Sequence, residues 1–275
     1  MTDTKPILIL GGTGKTGRRL AERLTAQGVP VRIGSRSGSP RFDWDVPATW
    51  GPAMQGVSAV YISYYPDIAV PGAADTVGAF ARLAVASGIT RLVLLSGRGE
   101  TEAQRAEEMV KASGADWTIL RCAWFSQNFS EGFLIESLLA GKVALPVGTV
   151  GEPFIDADDI ADAAFVALTE QGHVGQLYEL TGPRLLSFAD AVAEIAKAAG
   201  RDIRYIKVSH DEFTASVAAH DLPPEFAWLL NELFTEVLDG RNETLTDGVQ
   251  RVLGRAPKDF SAYAHETAAT GVWSN

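Results

Sequence analysis

The sequence predicts an α/β fold of the Rossmann type, a doubly wound parallel sheet followed by a smaller, mostly helical C-terminal cap. Three observations predict it. Four consecutive apolar residues, Ile7 to Leu10, lead directly into the glycine-rich stretch GGTGKTG, as a buried strand leads into a βα turn. Apolar β runs then alternate with amphipathic helical segments up to about residue 180, which is the pattern of a parallel sheet. Beyond Gly182 helical segments predominate.

The glycine-rich stretch matches the dinucleotide-binding pattern in two registers, Gly12-x-Gly14-x-x-Gly17 and Gly11-x-x-Gly14-x-x-Gly17. In that pattern a tight turn brings the N-terminal amides of a helix to a pyrophosphate, although a lone glycine triplet also occurs in ordinary turns. The phosphate loop of triphosphatases is disfavoured, because Ile9 stands where its motif needs the first glycine. The predicted cofactor contacts in this turn are Gly11, Thr13, Gly14, Lys15, Thr16 and Gly17, with a solvated position as the alternative for Lys15.

The later elements follow in order along the chain. Leu20 and Leu24 give the first helix its inward face, and Gly28 ends it. The further strands of the sheet are predicted at VRIGS (31–35), VSAVYIS (57–63), RLVLLS (91–96), WTILR (117–121) and QLYELTG (176–182). Helices are predicted at 74–88, 102–114 and 156–170, and in the cap from 186–200 to 258–271, with one short strand, IRYIKV, at 203–208. We therefore predict a nucleotide-binding domain over 1–182 and a cap over 183–275, with 125–150 contributing to the substrate cleft.

Composition narrows the class of partner. The chain has 275 residues, of which 46% are apolar, so it can bury a substantial core. Its net charge of −10 disfavours nonspecific binding to nucleic acid. The single cysteine, Cys122, excludes an internal disulfide, and the four histidines lack the spacing of metal ligands, so no metal is expected. Without a membrane span or a signal-peptide pattern, we expect a cytoplasmic protein that binds small molecules.

The end of the second strand indicates which dinucleotide is bound. An NAD site usually has an acid there, which accepts hydrogen bonds from the ribose, but no acid occurs between Glu22 and Asp43. The segment GSRSG instead offers Arg36 between Ser35 and Ser37, a cation and two hydroxyls suited to a 2′-phosphate. NADPH is therefore favoured, and NADH stays possible. A solvated surface arginine is the alternative interpretation of Arg36.

Ligands of open α/β sheets lie at the carboxyl ends of the strands, which directs attention to three further segments. Ser63 and Tyr64 are predicted to contact the cofactor and Tyr65 the substrate, with burial in the core as the alternative for both tyrosines. Ser96 is a candidate donor to a substrate oxygen, or else a turn or N-cap residue. The aromatic segment that follows the fifth strand either stacks a planar substrate or joins the cap to the sheet, and its members are Trp124, Phe125, Phe129 and Phe133. The cap aromatics Phe226, Trp228 and Phe234 are expected mostly in the core.

The tyrosines limit the chemistry. Reductases on this fold commonly use a Tyr-x-x-x-Lys pair as proton donor, and none of the six tyrosines has a lysine four residues later. Hydride transfer to a ketone gives an alkoxide, whose conjugate acid has a pKa of about 16, whereas a quinone gives a phenolate with a value of about 10. Because of this difference in pKa, a protein acid has to contribute roughly 8 kcal/mol less to the reduction of a quinone than to that of a ketone. An iminium carbon needs no proton at all. The sequence thus favours acceptors that take hydride without a resident acid.

These motifs together make the chain resemble the NmrA-like branch of atypical short-chain dehydrogenases. The segments that carry the resemblance are GGTGKTG, GSRS, FDW, LVLLS, EEMVKASGADWTILR, WFSQNFSE, DADDIADAAFVAL, LTGP and LGRAPKDFSAYAHETA. The last segment is similar to a subgroup that contains bacterial reductases and ergot-alkaloid iminium reductases. It implies NAD(P)H binding by the glycine turn and a 2′-phosphate contact at Arg36. It also implies an adenine-side residue near Asp43 and Trp44.

The resemblance further implies that nicotinamide and substrate lie near Ser96, Gly97 and residues 123–128, which adds Trp124, Phe125 and Asn128 as predicted substrate contacts. Relatives often carry a histidine one turn before Glu107 and a proline after the arginine of TILR, but here Ala103 and Cys122 stand at those places. Any acid role of that histidine therefore does not carry over. We interpret Glu107 as a helix-surface charge, with orientation of a cofactor group as the alternative.

The function predicted from sequence is an NADPH-dependent oxidoreductase that transfers hydride to a planar conjugated acceptor, a quinone or a polycyclic aromatic intermediate of secondary metabolism. Reduction of an imine or iminium is the nearest alternative. Quinone reduction, imine reduction and redox sensing without turnover all occur in the family that the chain resembles, so a noncatalytic NADP(H) sensor with a protein partner is a third possibility. A nucleotide-sugar epimerase is disfavoured, because its chemistry also needs the tyrosine.

Overall fold

The computed structural model describes residues 5–220 and 222–274 and divides into two compact units. The first unit contains residues 5–122, 157–180 and 248–255, and the second contains 123–156, 181–247 and 256–274. Each unit has its own sheet and its own core, and the two are described in turn.

In the described residues, eight strands form two parallel sheets. They are β1 (Ile7–Leu10), β2 (Val31–Gly34), β3 (Ala59–Ile62), β4 (Arg91–Gly97), β5 (Asp116–Cys122), β6 (Lys142–Leu145), β7 (Gln176–Leu180) and β8 (Arg204–Lys207). Six of them make the sheet of the first unit in the order β2-β1-β3-β4-β5-β7, and every neighbouring pair is parallel. The predicted α/β fold is confirmed, and the five strands predicted after β1 are found with ends shifted by at most two residues.

Eleven α-helices accompany the strands in the described residues. They are α1 (Lys15–Ala26), α2 (Trp50–Met54), α3 (Ala73–Ala86), α4 (Thr101–Lys111), α5 (Ile135–Leu139), α6 (Ala157–Thr169), α7 (Phe188–Ala199), α8 (His210–Ala219), α9 (Pro224–Glu232), α10 (Gly248–Leu253) and α11 (Phe260–Ala269). A turn of π-helix, Leu233–Val237, continues α9. The helices predicted at 74–88, 102–114 and 156–170 correspond to α3, α4 and α6.

The first unit is built on strands that are apolar on both faces. All four residues of β1 and all four of β3 are buried, as expected for inner strands of a parallel sheet covered by helices on both sides. Helices α1 and α6 pack against each other, and Arg23 of α1 pairs with Asp158 and Asp162 of α6 at 2.8 and 2.5 Å. Because the six strands run parallel, their carboxyl ends lie at one edge of the sheet, and the candidate site lies at this edge.

The second unit is organised around aromatic side chains. We define its aromatic core as Trp124, Phe129, Phe154, Phe188, Phe234 and Phe260, all buried, with ring centroids of neighbouring members 5.1–5.9 Å apart. Most of the neighbouring rings meet edge to face, an arrangement that adds about 0.5–1.5 kcal/mol per pair beyond area burial. The expectation of a core position holds for Phe234, whereas Trp228 is 39% exposed. The short strand predicted at 203–208 is confirmed as β8, and its partner β6 was not predicted.

The division of the chain differs from the predicted boundary at residue 182 in two places. Residues 123–156 fall in the second unit, because Trp124, Phe129 and Phe154 supply half of its aromatic core. Residues 248–255 return to the first unit, where α10 packs on α6 and β7. The composition of the sequence does not change at the ends of either segment, so neither could be located from composition.

The return of α10 depends on a close approach of two backbones. A Cβ atom on Gly248 would overlap the backbone carbonyl of Glu179 in β7. Gly248→Ala should therefore lower the free energy of unfolding by about 1–3 kcal/mol, since the backbone has to shift. Gly51→Ala in α2 is the matched control, because no atom lies within 4 Å of its added methyl group. Urea denaturation of both variants tests this, and equal effects would contradict it.

Candidate functional site

The candidate site lies where the order of the strands reverses. Strand β1 stands between β2 and β3, so the connections leaving β1 and β3 diverge to opposite sides and leave a crevice between them. Gly11 follows β1 with a φ of +66°, a conformation that favours glycine. A Cβ atom on Gly11 would lie 3.1 Å from Oγ of Ser63, which follows β3. The two predicted segments therefore meet at the crevice.

The glycine turn draws α1 tightly onto the end of β1. The amide of Gly14 donates to the carbonyl of Gly11 at 2.9 Å, and a Cβ atom on Gly17 would overlap that same carbonyl. Gly12 contacts β2 instead, since its Cβ would lie 2.6 Å from Ile33. Gly14 is the N-cap of α1, no side chain caps this end, and its first turn holds no acid. This end of α1 thus has the positive character of a helix N-terminus.

The side chains of the turn point in two directions. Gly11, Thr13 and Gly14 are exposed, so the outer face of the turn is open. Thr16 is buried and accepts a hydrogen bond from the hydroxyl of Tyr61 at 2.9 Å, so its side chain faces the sheet. Thr16 would therefore contact a phosphate through its backbone amide and not through its side chain.

Arg36 stands exposed at the end of β2. The carbonyl of Ser35 accepts from the amides of Gly38 and Phe42 at 3.1 and 2.9 Å, which closes a turn around Arg36. Within residues 5–220 and 222–274, Arg36 has no acidic ion-pair partner. Its guanidinium carbon lies 5.4 Å from the centroid of the Tyr65 ring. A cation thus occupies the place where an NAD site usually has an acid.

The predicted adenine-side residues are fixed by their neighbours. Asp43 is buried and accepts a hydrogen bond from Arg41 at 2.6 Å, which lowers the pKa of its carboxyl. Its carbonyl accepts from the indole of Trp50 at 2.9 Å. The ring of Trp44 lies 5.0 Å from that of Tyr64, so both belong to a single aromatic cluster. Tyr64 is half-buried beside Trp44 and its contact with the cofactor stays a prediction, while Tyr65 is 66% exposed.

A buried charge network lies beneath the end of β4. The hydroxyl of Ser96 donates to Oε1 of Glu107 at 2.6 Å, and Arg121 donates to both oxygens of Glu107 at 2.9 and 2.5 Å. Arg121 also donates to Glu179 of β7 at 2.8 Å. Hydrogen bonding to Glu107, above all, raises the pKa of the Arg121 guanidinium.

The network corrects two expectations. Glu107 is fully buried, so its interpretation as a helix-surface charge is wrong: α4 turns this residue toward the sheet, where Arg121 neutralises it. The one hydroxyl proton of Ser96 is engaged by Glu107, and donation by Ser96 to a substrate oxygen is therefore not what the geometry supports. A cofactor contact of Ser96 through its backbone stays a prediction.

A second carboxylate lies directly at the end of β4. A Cβ atom on Gly97 would overlap the carboxylate of Glu100, which precedes α4. Cys122, at the end of the neighbouring β5, is buried, and burial first and the charge of Glu100 second raise the pKa of its thiol. Glu100 was missed in the sequence, although an acid three residues beyond Gly97 was the available signal. The predicted nicotinamide edge thus includes a carboxylate.

The predicted substrate residues of the second unit differ in exposure. The indole of Trp124 is packed in the aromatic core against Phe188 and Phe234, and its backbone amide donates to the buried carboxylate of Glu152 at 3.1 Å. Phe125 and Asn128 are half-buried. Of these three residues, Phe125 and Asn128 are the ones with accessible side chains.

At least three of the six tyrosine phenols are buried or half-buried and hydrogen-bonded. The hydroxyl of Tyr205 donates to the carbonyl of Val147 and that of Tyr263 to Ser130, at 2.5 and 2.8 Å, while Tyr61 donates to Thr16. Burial raises the pKa of Tyr205 to about 12 and raises those of Tyr61 and Tyr263 further. A raised pKa makes a phenol a weaker acid. These three tyrosines are therefore not activated proton donors.

In the described part of the chain, no cluster of three or more histidine, cysteine, aspartate or glutamate side chains is placed to hold a metal ion. No helix among residues 5–220 and 222–274 combines the length and apolar character needed to cross a bilayer.

Comparison with known proteins agrees with this geometry. A family model described as NAD(P)H-binding matches residues 11–171. YesF of Bacillus subtilis, an uncharacterized oxidoreductase, is 32% identical over the whole of both chains. The festuclavine dehydrogenase of Aspergillus fumigatus is also 32% identical, over 96% of this chain and 98% of its own. The fold is shared with the NADPH complex of the Escherichia coli quinone oxidoreductase QOR2, with a TM-score of 0.75 at 23% identity, covering 94% of this chain and 99% of that one.

The buried network predicts an asymmetry between two adjacent glutamates. Glu107→Ala leaves Arg121 without its main partner and should lower the free energy of unfolding by about 3–5 kcal/mol. Glu108→Ala is the matched control, because its side chain is 71% exposed and its pair with Lys111 contributes less than about 1 kcal/mol. Chemical denaturation measures both. A Glu107 variant as stable as the Glu108 variant would show that the network is not structural.

Proposed function

The chain belongs to an NAD(P)H-binding family, and we propose that it is an NADPH-dependent reductase of a planar conjugated acceptor, a quinone or a polycyclic aromatic intermediate of secondary metabolism. The observation that carries the proposal is the pairing of two features at one sheet edge. Helix α1 begins on a glycine turn without a side-chain cap, and Arg36 at the end of the adjacent strand β2 has no acidic ion-pair partner in the described residues.

The residues present fit a dinucleotide phosphate. A side chain at Gly14 would occupy the exposed face of the turn, only 3.2 Å from the Gly11 carbonyl, so the glycine keeps open the space that a pyrophosphate needs. The amides at the start of α1 would hold the pyrophosphate, since helix N-termini attract anions. Arg36, with Ser35 and Ser37, would hold the 2′-phosphate through charge-assisted hydrogen bonds.

A bound nicotinamide would supply the hydride, and the residues of this chain would bind and orient the two reactants. Ser63 and the backbone of Ser96 and Gly97 would line the nicotinamide side of the crevice. Trp124, Phe125 and Asn128 stay proposed contacts of the acceptor. A quinone suits a site in which three of the six phenols are buried and engaged, because the phenolate it forms can take its proton from solvent.

A specific observation favours a second candidate, a cationic iminium. The carboxylate of Glu100 at Gly97 would stabilise a positively charged acceptor and disfavour the negative charge of a phenolate. The festuclavine dehydrogenase relative and the resemblance to ergot-alkaloid iminium reductases support the same candidate.

The decisive assay measures the loss of NADPH absorbance with quinones and with cyclic iminium ions, each at several concentrations. Turnover of either class supports the reductase and identifies its acceptor. Tight NADPH binding without oxidation by any member of the panel would overturn the proposal and leave a nucleotide sensor.

Arg36→Ala should weaken NADPH binding by about tenfold to a hundredfold and change NADH binding little. The reason is the loss of a charge-assisted hydrogen bond, which contributes about 1.5–3 kcal/mol. Arg82→Ala on the exposed surface of α3 removes the same charge and should leave both affinities unchanged. Calorimetric titration of the wild type and of both variants with each nucleotide measures the six affinities. Equal losses for the two nucleotides would refute the phosphate role of Arg36.

Glu100→Gln should shift the acceptor preference. Removing the charge should lower kcat/KM for an iminium ion and raise it for a quinone, each by about tenfold, which corresponds to about 1.4 kcal/mol. Glu108→Gln, on the exposed face of α4, serves as the control. The kcat/KM values for both acceptors are compared in the three proteins. A parallel change for both acceptors would mean that Glu100 does not act through its charge on the acceptor.

A further inference from the structure

Tyr65 is exposed in a segment that is otherwise held firmly. Its neighbour Tyr64 packs on Trp44, and the carboxylate of Asp67 accepts a hydrogen bond from the amide of Ala69 at 2.9 Å. The Tyr65 ring nevertheless keeps 66% of its surface in solvent. Core packing therefore does not account for an aromatic side chain at this position.

The ring faces Arg36. With the guanidinium carbon 5.4 Å from the ring centroid, the pair lies within cation–π distance. An exposed arginine otherwise samples many rotamers, and a ligand that binds it has to suppress them. Contact with a ring on a fixed backbone reduces that freedom before the ligand arrives.

The neighbouring charges leave Arg36 available to an anion. Asp43 is the carboxylate whose charge Arg36 influences, but Asp43 already accepts from Arg41 at 2.6 Å and from the amide of Asp45 at 3.2 Å. A neutral ring, unlike a carboxylate, orients a guanidinium without neutralising it. Arg36 is thus both oriented and still fully charged.

We propose that Tyr65 is a positioning residue for the cofactor, which holds Arg36 in place to receive the 2′-phosphate and so contributes to the selection of NADPH over NADH. The inference rests on the proposed function, since it takes NADPH as the ligand. It also moves Tyr65 from the substrate contacts predicted from sequence to the adenosine end of the site.

The test is a double-mutant cycle on Arg36 and Tyr65, read by calorimetric titration with NADPH and with NADH. Tyr65→Ala should weaken NADPH binding about fivefold, equal to about 1 kcal/mol, and leave NADH binding unchanged. Tyr65→Phe keeps the ring and should bind both nucleotides as the wild type does. In the Arg36→Ala background, Tyr65→Ala should not change the NADPH affinity further, because Tyr65 acts on the nucleotide only by orienting Arg36.

Three results would overturn the inference. These are an unchanged NADPH affinity in Tyr65→Ala, equal losses for both nucleotides, or additive effects in the double variant. A higher KM for the acceptor with unaltered nucleotide affinity would return Tyr65 to the substrate site. Failure of the proposed function gives a different result: the wild type itself would then bind neither nucleotide, or would bind NADH as tightly as NADPH.

Discussion

The close contact between Gly17 and the carbonyl of Gly11 is the constraint on which the site depends. It brings the first turn of α1 onto the end of β1 with no room for a side chain, and so aims the helix amides into the crevice between β1 and β3. A Cβ atom on Gly11 would lie only 3.1 Å from Oγ of Ser63, so the ends of β1 and β3 also lie close together at that helix. Anion binding at this corner follows from backbone geometry, and the side chains around it decide which anion is bound.

Charge is distributed unevenly along the edge of the sheet. At the β2 end, Arg36 is exposed and oriented by a neutral ring, an arrangement suited to a phosphate. At the β4 end, Glu107 is buried and paired with Arg121, so it serves stability, whereas Glu100 places a second carboxylate beside Gly97. A site with a cation at one end and a carboxylate at the other matches a ligand pair whose phosphate is anionic and whose acceptor is uncharged or positive.

Local signals predicted most of the fold. Apolar runs and glycine stops located the six strands of the large sheet, because inner parallel strands are continuously apolar. The pairing of β6 with β8 and the return of α10 to the first unit were not predicted, since both depend on contacts between residues distant in sequence. The same limit applies to Glu107 and Tyr65. Helical position alone did not reveal the burial of Glu107 against Arg121, and only the folded turn brings Tyr65 to Arg36.

The central claim is that the glycine turn and Arg36 bind the two phosphate groups of NADPH at one edge of the sheet. A crystal structure of the NADPH complex tests it most directly. We expect the pyrophosphate within hydrogen-bonding distance of the amides at the start of α1, and the 2′-phosphate in contact with the Arg36 guanidinium. Nucleotide bound elsewhere, or a 2′-phosphate turned into solvent away from Arg36, would contradict it.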